Sequence, residues 1–148
     1  MRFFCYVFLI SIFFITNVNA ELQITFSGVA KQSFKEEMTS ATYELPIGPF
    51  YNGSVKTLLV RGKVLKKAWH IKSPNETVTS LRDSMKAQLE KEGFKLLYEC
   101  ETQICGGFDF RFHTEILPDP KMHIDLGNYK FFSARRQTGE NTEFLSCI

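Results

Sequence analysis

Asp109, His113, Glu115, His123 and Asp125 fall within 17 positions of one another. Two imidazoles and a carboxylate converging on one point could hold zinc and activate water, with His113, His123 and Asp125 as ligands. A neighbouring carboxylate and imidazole could also act as general acid and base. The spacing specifies neither chemistry, and the helix-borne H-E-x-x-H pattern is absent. Arg111 stands among these groups and is suited to pair with Asp109 or Asp125, so a surface salt-bridge cluster is the expected arrangement. Nucleophilic catalysis has less support. There is no G-x-S-x-G elbow, and no motif ties a serine to His70, His113 or His123. Gly106-Gly107 lacks the continuation of a phosphate-binding loop. No catalytic residue is therefore assigned, no cofactor or metal is expected, and the chain is not read as an enzyme.

The cysteines carry a different chemistry. Cys100 and Cys105 are separated by four residues, and no second Cys pair or nearby His pair completes a metal site. In an oxidising compartment such a pair closes a turn as a local disulfide. The loop is short, so the entropic gain is at most ~2 kcal/mol. The C-x-x-x-x-C spacing does not match a thioredoxin-type motif. Cys5 lies in the leader described next, and Cys147 has no evident partner.

The leader sets the compartment. Residues 1–20 read as an export signal. Arg2 is their only charge, Phe3 to Ile15 is apolar, and Val18-Asn19-Ala20 supplies a small-residue cleavage site. Thr16-Asn17 interrupts the run before ~20 apolar residues accumulate, so a cleaved signal is expected and no transmembrane segment remains after cleavage. Glu21 to Ile148 then reads as one domain with one core. Losing Arg2 leaves 17 basic against 16 acidic residues, a formal charge of +1. Such balance gives no reason to propose nucleic acid as partner. Arg61, Lys63, Lys66, Lys67 and Lys72 are locally basic, which could suit anionic lipid or polysaccharide, but both faces of the stretch share the charges, so the solvated face of a strand is the expected reading.

Several elements must position these groups. Leu22–Phe26 and Ala41–Leu45 alternate with period two and read as strands, the second stopped by Pro46, Gly48 and Pro49. Residues 50–54 read as a turn-rich loop. Thr57–Ile71 is the longest strand signal, with apolar residues on both parities, which suggests a central strand or a bulge that changes faces near Gly62. Ser73-Pro74-Asn75-Glu76 has the form of a capping box. Val78, Leu81, Met85 and Leu89 then form one stripe of a helix over about 76–92, ended by Gly93. Phe94–Cys100 alternates as a strand, giving a βαβ unit if it runs parallel to the strand before the helix. Phe108–His113 also alternates, placing Phe108, Phe110 and Phe112 on one face, more suited to a core than to a ligand platform. Met122–Leu126, Tyr129–Ala134 and Phe144–Ile148 read as short strands. The fold class is therefore α+β, with a small mixed or mostly antiparallel sheet and one main amphipathic helix packed on it. Asn52-Gly53-Ser54 and Asn75-Glu76-Thr77 match glycosylation sequons, a pattern that also arises by chance.

The string from Glu101 through Cys105-Gly106-Gly107-Phe108-Asp109-Phe110-Arg111-Phe112 resembles the N-terminal domain of OmpA family proteins of Gram-negative bacteria. Glu115-Ile116-Leu117-Pro118, Met122–Leu126 and Tyr129–Arg136 continue the resemblance. Upstream, Tyr43–Pro49, Gly62–Trp69, Leu89–Phe94 and Tyr98–Cys100 also fit. In that family a peptidoglycan-binding OmpA-like domain normally follows. This sequence stops at Ile148, so none of the wall-binding residues carries over and peptidoglycan binding is not expected. The chain is either a stand-alone version of the domain or an interrupted gene. The resemblance implies a location in the periplasm, in association with the outer membrane or free of it.

The expected function is a noncatalytic interaction module of the cell envelope, with another envelope protein as partner. It would use an exposed sheet edge or the Cys100–Cys105 turn, with Phe108, Phe110 and Arg111 as candidate binding residues. Two alternatives are a metal-assisted periplasmic hydrolase and a binding domain for a small envelope component.

Overall fold

A computed structural model describes residues 22–148. The proposed signal segment lies outside the described residues. Two long strands come first, β1 (Val29–Tyr51) and β2 (Ser54–Lys72). They pair antiparallel into a two-stranded ribbon joined at Asn52-Gly53. Both turn residues have positive φ, 49° at Asn52 and 85° at Gly53. That is the backbone of a type I′ turn, whose twist matches the strands it joins.

Pro46, Gly48 and Pro49 do not stop β1. Proline is excluded from a strand interior because it cannot donate to a partner on both sides. A two-stranded ribbon leaves one edge of each strand unpaired, and the register slips between Pro46 and Phe50. A second slip falls between Met38 and Ala41, opposite Val64 and Gly62. The expected bulge is therefore at Gly62's level, with the extra residue on β1.

The main helix, α1, spans Val78–Lys91. Its cap is not Ser73. Thr77 has extended φ/ψ, its hydroxyl accepts from the Ser80 amide at 3.1 Å, and the Ser80 hydroxyl accepts from the Thr77 amide at 2.9 Å. The reciprocal box thus lies four residues later than the sequence suggests, with serine replacing glutamate at its third helical position. Gly93, at φ 84°, turns the chain out of the helix.

No βαβ unit forms. β3 (Lys95–Glu101) pairs with β4 (Lys130–Thr138), and β4 with β5 (Asn141–Cys147), all antiparallel, in the order β3-β4-β5. Side chains on alternate sides of β4 serve two cores. Phe132 and Ala134 join Met85, Leu89 and Phe94 beneath α1. Phe131 joins Cys100, Cys105, Phe110 and Tyr129 on the other side. There the Ser133 hydroxyl donates to the Pro46 carbonyl at 2.7 Å, fastening the ribbon to the sheet.

Leu22–Phe26 is not a strand. Its period-two pattern still describes its packing, because Leu22, Ile24 and Phe26 lie against the α1 core. A side chain takes the place of a partner strand. The Thr25 amide donates to Gln88 Oε1 at 2.8 Å, and Gln88 Nε2 donates to the Thr25 carbonyl at 2.9 Å. Met122–Leu126 is likewise not a strand. It belongs to a long connection lying over the ribbon, where Ser33 donates to the Lys121 carbonyl, Lys121 Nζ sits 4.4 Å from the Phe34 ring centroid, and Lys66 pairs with Glu115.

Candidate interaction surface

β3 ends at the disulfide. Cys100 and Cys105 are bonded, with Cα atoms 5.2 Å apart, and both are buried. The bond folds the chain back through a short helical turn, α2 (Thr102–Cys105). Gly106, at φ 112°, and Gly107, at φ 59°, then redirect it into α3 (Gly107–Phe112). Side chains strongly disfavour both conformations. Gly106 also lies against the ribbon, where an added Cβ would meet Phe50 Cβ at 2.7 Å.

Residues Phe108–His113 therefore do not form the expected strand. The two positive-φ glycines and the disulfide fix a helical turn that local alternation cannot reveal. In a helix, positions four apart share a side and the residue midway lies opposite. Phe110 is fully buried, stacking with Tyr129 at 6.4 Å between centroids and meeting Phe131 edge-on at 5.1 Å. Phe108 and Phe112 stack on each other at 5.9 Å on the outside, 54% and 68% exposed. The expected aromatic row is split into one core residue and a surface pair.

Other apolar side chains are exposed at this end. Ile104 of α2 is 72% exposed and Tyr51, at the ribbon turn, 73%. Phe50, next to Tyr51, packs on the His113 ring at 4.8 Å. The platform beneath is held rigidly. The Thr102 amide and hydroxyl donate to the Tyr129 carbonyl, the Tyr129 amide donates to the Thr102 hydroxyl, and the Tyr129 hydroxyl donates to the Gly107 carbonyl at 2.6 Å.

The candidate metal ligands do not converge. His113 Nδ1 lies 2.8 Å from the Asp109 carbonyl one turn earlier. His123 Nδ1 is 3.6 Å from Asp119 Oδ1 on the surface. Asp125 Oδ1 accepts from the Gly127 amide at 2.8 Å and closes a turn. Among the described residues, no group of three or more His, Cys, Asp or Glu side chains could hold a metal ion. Arg111 does not make the expected ion pair with Asp109 or Asp125, and its Nε is buried without a hydrogen-bond partner.

The principal charge network lies elsewhere and was not legible from spacing. Lys86 Nζ meets Glu99 at 2.5 Å, Arg82 reaches Asp83, Glu99 and Glu101, and Lys130 meets Glu101 at 2.5 Å. It ties α1 to β3 and β4. Lys130, then Arg82, hold the Glu101 carboxyl below its ordinary range by hydrogen bonding to its charged form.

Burial raises the phenols of Tyr43, Tyr98 and Tyr129 and the thiol of Cys147, the last two most. The Tyr129 phenol is pushed up from 10.0 to about 12, by desolvation first and by Tyr98 second. The Cys147 thiol, facing Met85, is pushed up from 9.0 to about 12 by desolvation. In the unfolded chain each group loses its proton at the lower value. Above that value the unfolded state binds fewer protons than the folded one, so stability falls with pH. The stabilisation is complete below pH 9, for the thiol, and is lost progressively towards about 12. Denaturant midpoints measured across this window should decline. Cys147→Ala should flatten the first part of the decline and Tyr129→Phe the later part.

No protein-family model matches this chain, and no curated protein or solved structure matches it. Among the described residues, no helix is long and apolar enough to cross a membrane.

Proposed function

We propose that this chain is a noncatalytic interaction module of the cell envelope, docking another envelope protein through the aromatic face of α3. One observation carries the reading: Phe108 and Phe112 stand exposed and stacked on a turn fixed by a disulfide, two glycines and the buried Phe110. Water-exposed aromatic anchors on a rigid base are the residues that dominate protein interfaces, because little conformational entropy is lost when they bind. Isolated exposed apolar residues are ordinary, but here Ile104 and Tyr51 accompany the pair at the same end of the fold. The partner would offer an apolar groove to receive the two rings.

The leader-like residues 1–20 and the oxidised cysteine pair support export to the periplasm. The resemblance to the N-terminal domain of OmpA family proteins supports the same compartment and an association with the outer membrane. The test is photocrosslinking in the native envelope. A photoreactive side chain at position 108 should give a discrete adduct, and Phe112→Asp should reduce its yield at least tenfold. The same probe at Glu90, on the exposed side of α1, serves as control. Absence of an adduct from position 108, or identical adducts from position 90, would sink the proposal.

A further inference from the structure

A second surface, at the opposite end of the sheet from the disulfide, has a different character. Gly93, Lys95, Arg135, Arg136, Gln137 and Thr142 line a shallow cleft of about 210 Å³. Lys95 and Arg135 are direct partners across β3 and β4. Like charges directly opposite each other in a sheet are destabilising. Among the described residues, neither side chain has an ion pair or hydrogen bond to relieve the repulsion. The third cation, Arg136, is different. It donates to Glu143 at 2.9 Å and to the Glu92 carbonyl at 3.1 Å, and lies over the Phe94 ring at 4.6 Å. Arg136 thus builds the wall and engages two neighbouring carboxylates, Glu143 and, at 3.5 Å, Glu92, and neither of these residues lines the cleft itself.

The charge balance defines the ligand. Two cations are left uncompensated, while Gln137 and Thr142 add uncharged polar groups beside them. A phosphate monoester carries about −1.5 to −2 near neutral pH. A guanidinium matches its oxygens with paired N–H donors, and an ammonium adds a point charge. We infer that this cleft binds a phosphate-class dianion, with Lys95 and Arg135 as its principal contacts. Binding would relieve the cross-strand repulsion, so the site is electrostatically prepared before the ligand arrives. The site is remote from α3 and does not depend on the docking role of that face.

The probe is inorganic phosphate added to the mature chain, at ionic strength held constant with chloride. The amide resonances of Gly93, Gln137 and Thr142 are followed by NMR. Saturable shifts are expected, with affinity reduced at least tenfold in Arg135→Gln and in Lys95→Gln, and largely retained in Arg135→Lys. Both glutamine variants remove a repulsion, so they should fold at least as stably as the parent in phosphate-free buffer. A parallel arm uses vesicles of phosphatidylcholine with and without phosphatidic acid. Saturation by inorganic phosphate identifies a soluble ligand. Binding confined to phosphatidic acid vesicles and abolished in Arg135→Gln identifies a lipid headgroup. Non-saturating shifts, or affinity unchanged in both glutamine variants, would mean an adventitious ion only and would overturn the inference. So would the absence of binding in both arms.

Discussion

Phe110→Ala should lower the stability of the folded chain by about 3–5 kcal/mol, the usual cost of truncating a fully buried phenylalanine. Phe110 is 0% exposed and fills the space between Tyr129, Phe131 and the disulfide. Its neighbours are held by the ring, the Cys100–Cys105 bond and the Thr102–Tyr129 hydrogen bonds, and cannot collapse freely into the cavity. Denaturant titration should show a lower midpoint with an unchanged slope. Small domains hold only about 5–15 kcal/mol in total, so the variant loses a large share. The contrast with Phe112→Asp separates structure from docking. That substitution is at a 68% exposed position and should change stability by no more than about 0.5 kcal/mol. An unfolding free energy for Phe110→Ala within about 1 kcal/mol of the parent would show that Phe110 does not support the platform.

Gly106→Ala is the second large effect, expected at about 2–5 kcal/mol. Two costs combine. Alanine at φ 112° is strained, and its Cβ would sit 2.7 Å from Phe50 Cβ and 3.2 Å from the Phe50 carbonyl oxygen. Backbone on a paired strand cannot give way as a flexible side chain would. Gly107→Ala is the matched control, because φ there is 59° and no atom lies within 4 Å of the added Cβ. It should carry only the left-handed strain of roughly 1–2 kcal/mol. Equal costs for the two variants would show that the approach of Phe50 to Gly106 is not tight in solution.

How much of this fold is legible in its sequence follows from the range of the forces. The α1 stripe is legible at Leu81, Met85 and Leu89 because amphipathic helix periodicity is a local signal, but Val78, expected on the same stripe, is 41% exposed in the first turn. β3, β4 and β5 and the Cys100–Cys105 bond are legible as well. The ribbon was half legible. Alternation located its strands, but Pro46 and Pro49 were overvalued as breaks because nothing local announces that a strand has a free edge. Asn52-Gly53 was the missed signal. That dipeptide between two alternating runs marks a hairpin, and reading it would have joined β1 to β2.

The α3 error has another cause. Phe-x-Phe-x-Phe fits a strand by period, and a six-residue stretch is too short for helical periodicity to compete. The decision is made by Gly106 and Gly107, whose positive φ angles turn the backbone before the first phenylalanine is reached. The salt-bridge expectation around Arg111 failed for the same reason, since it presumed paired strands that are not there. The cross-strand meeting of Lys95 with Arg135 joins positions 40 apart and was invisible to any local pattern.

The stretch from Leu22 to Ser27 imposes an order on assembly. It is synthesised before α1, and its anchor Gln88 lies 63 positions after Thr25. Its apolar side chains gain their cover only after α1 has formed. This strap therefore closes over a helix that must already be in place, as a latch does. Any machinery that handles the nascent chain meets that latch open.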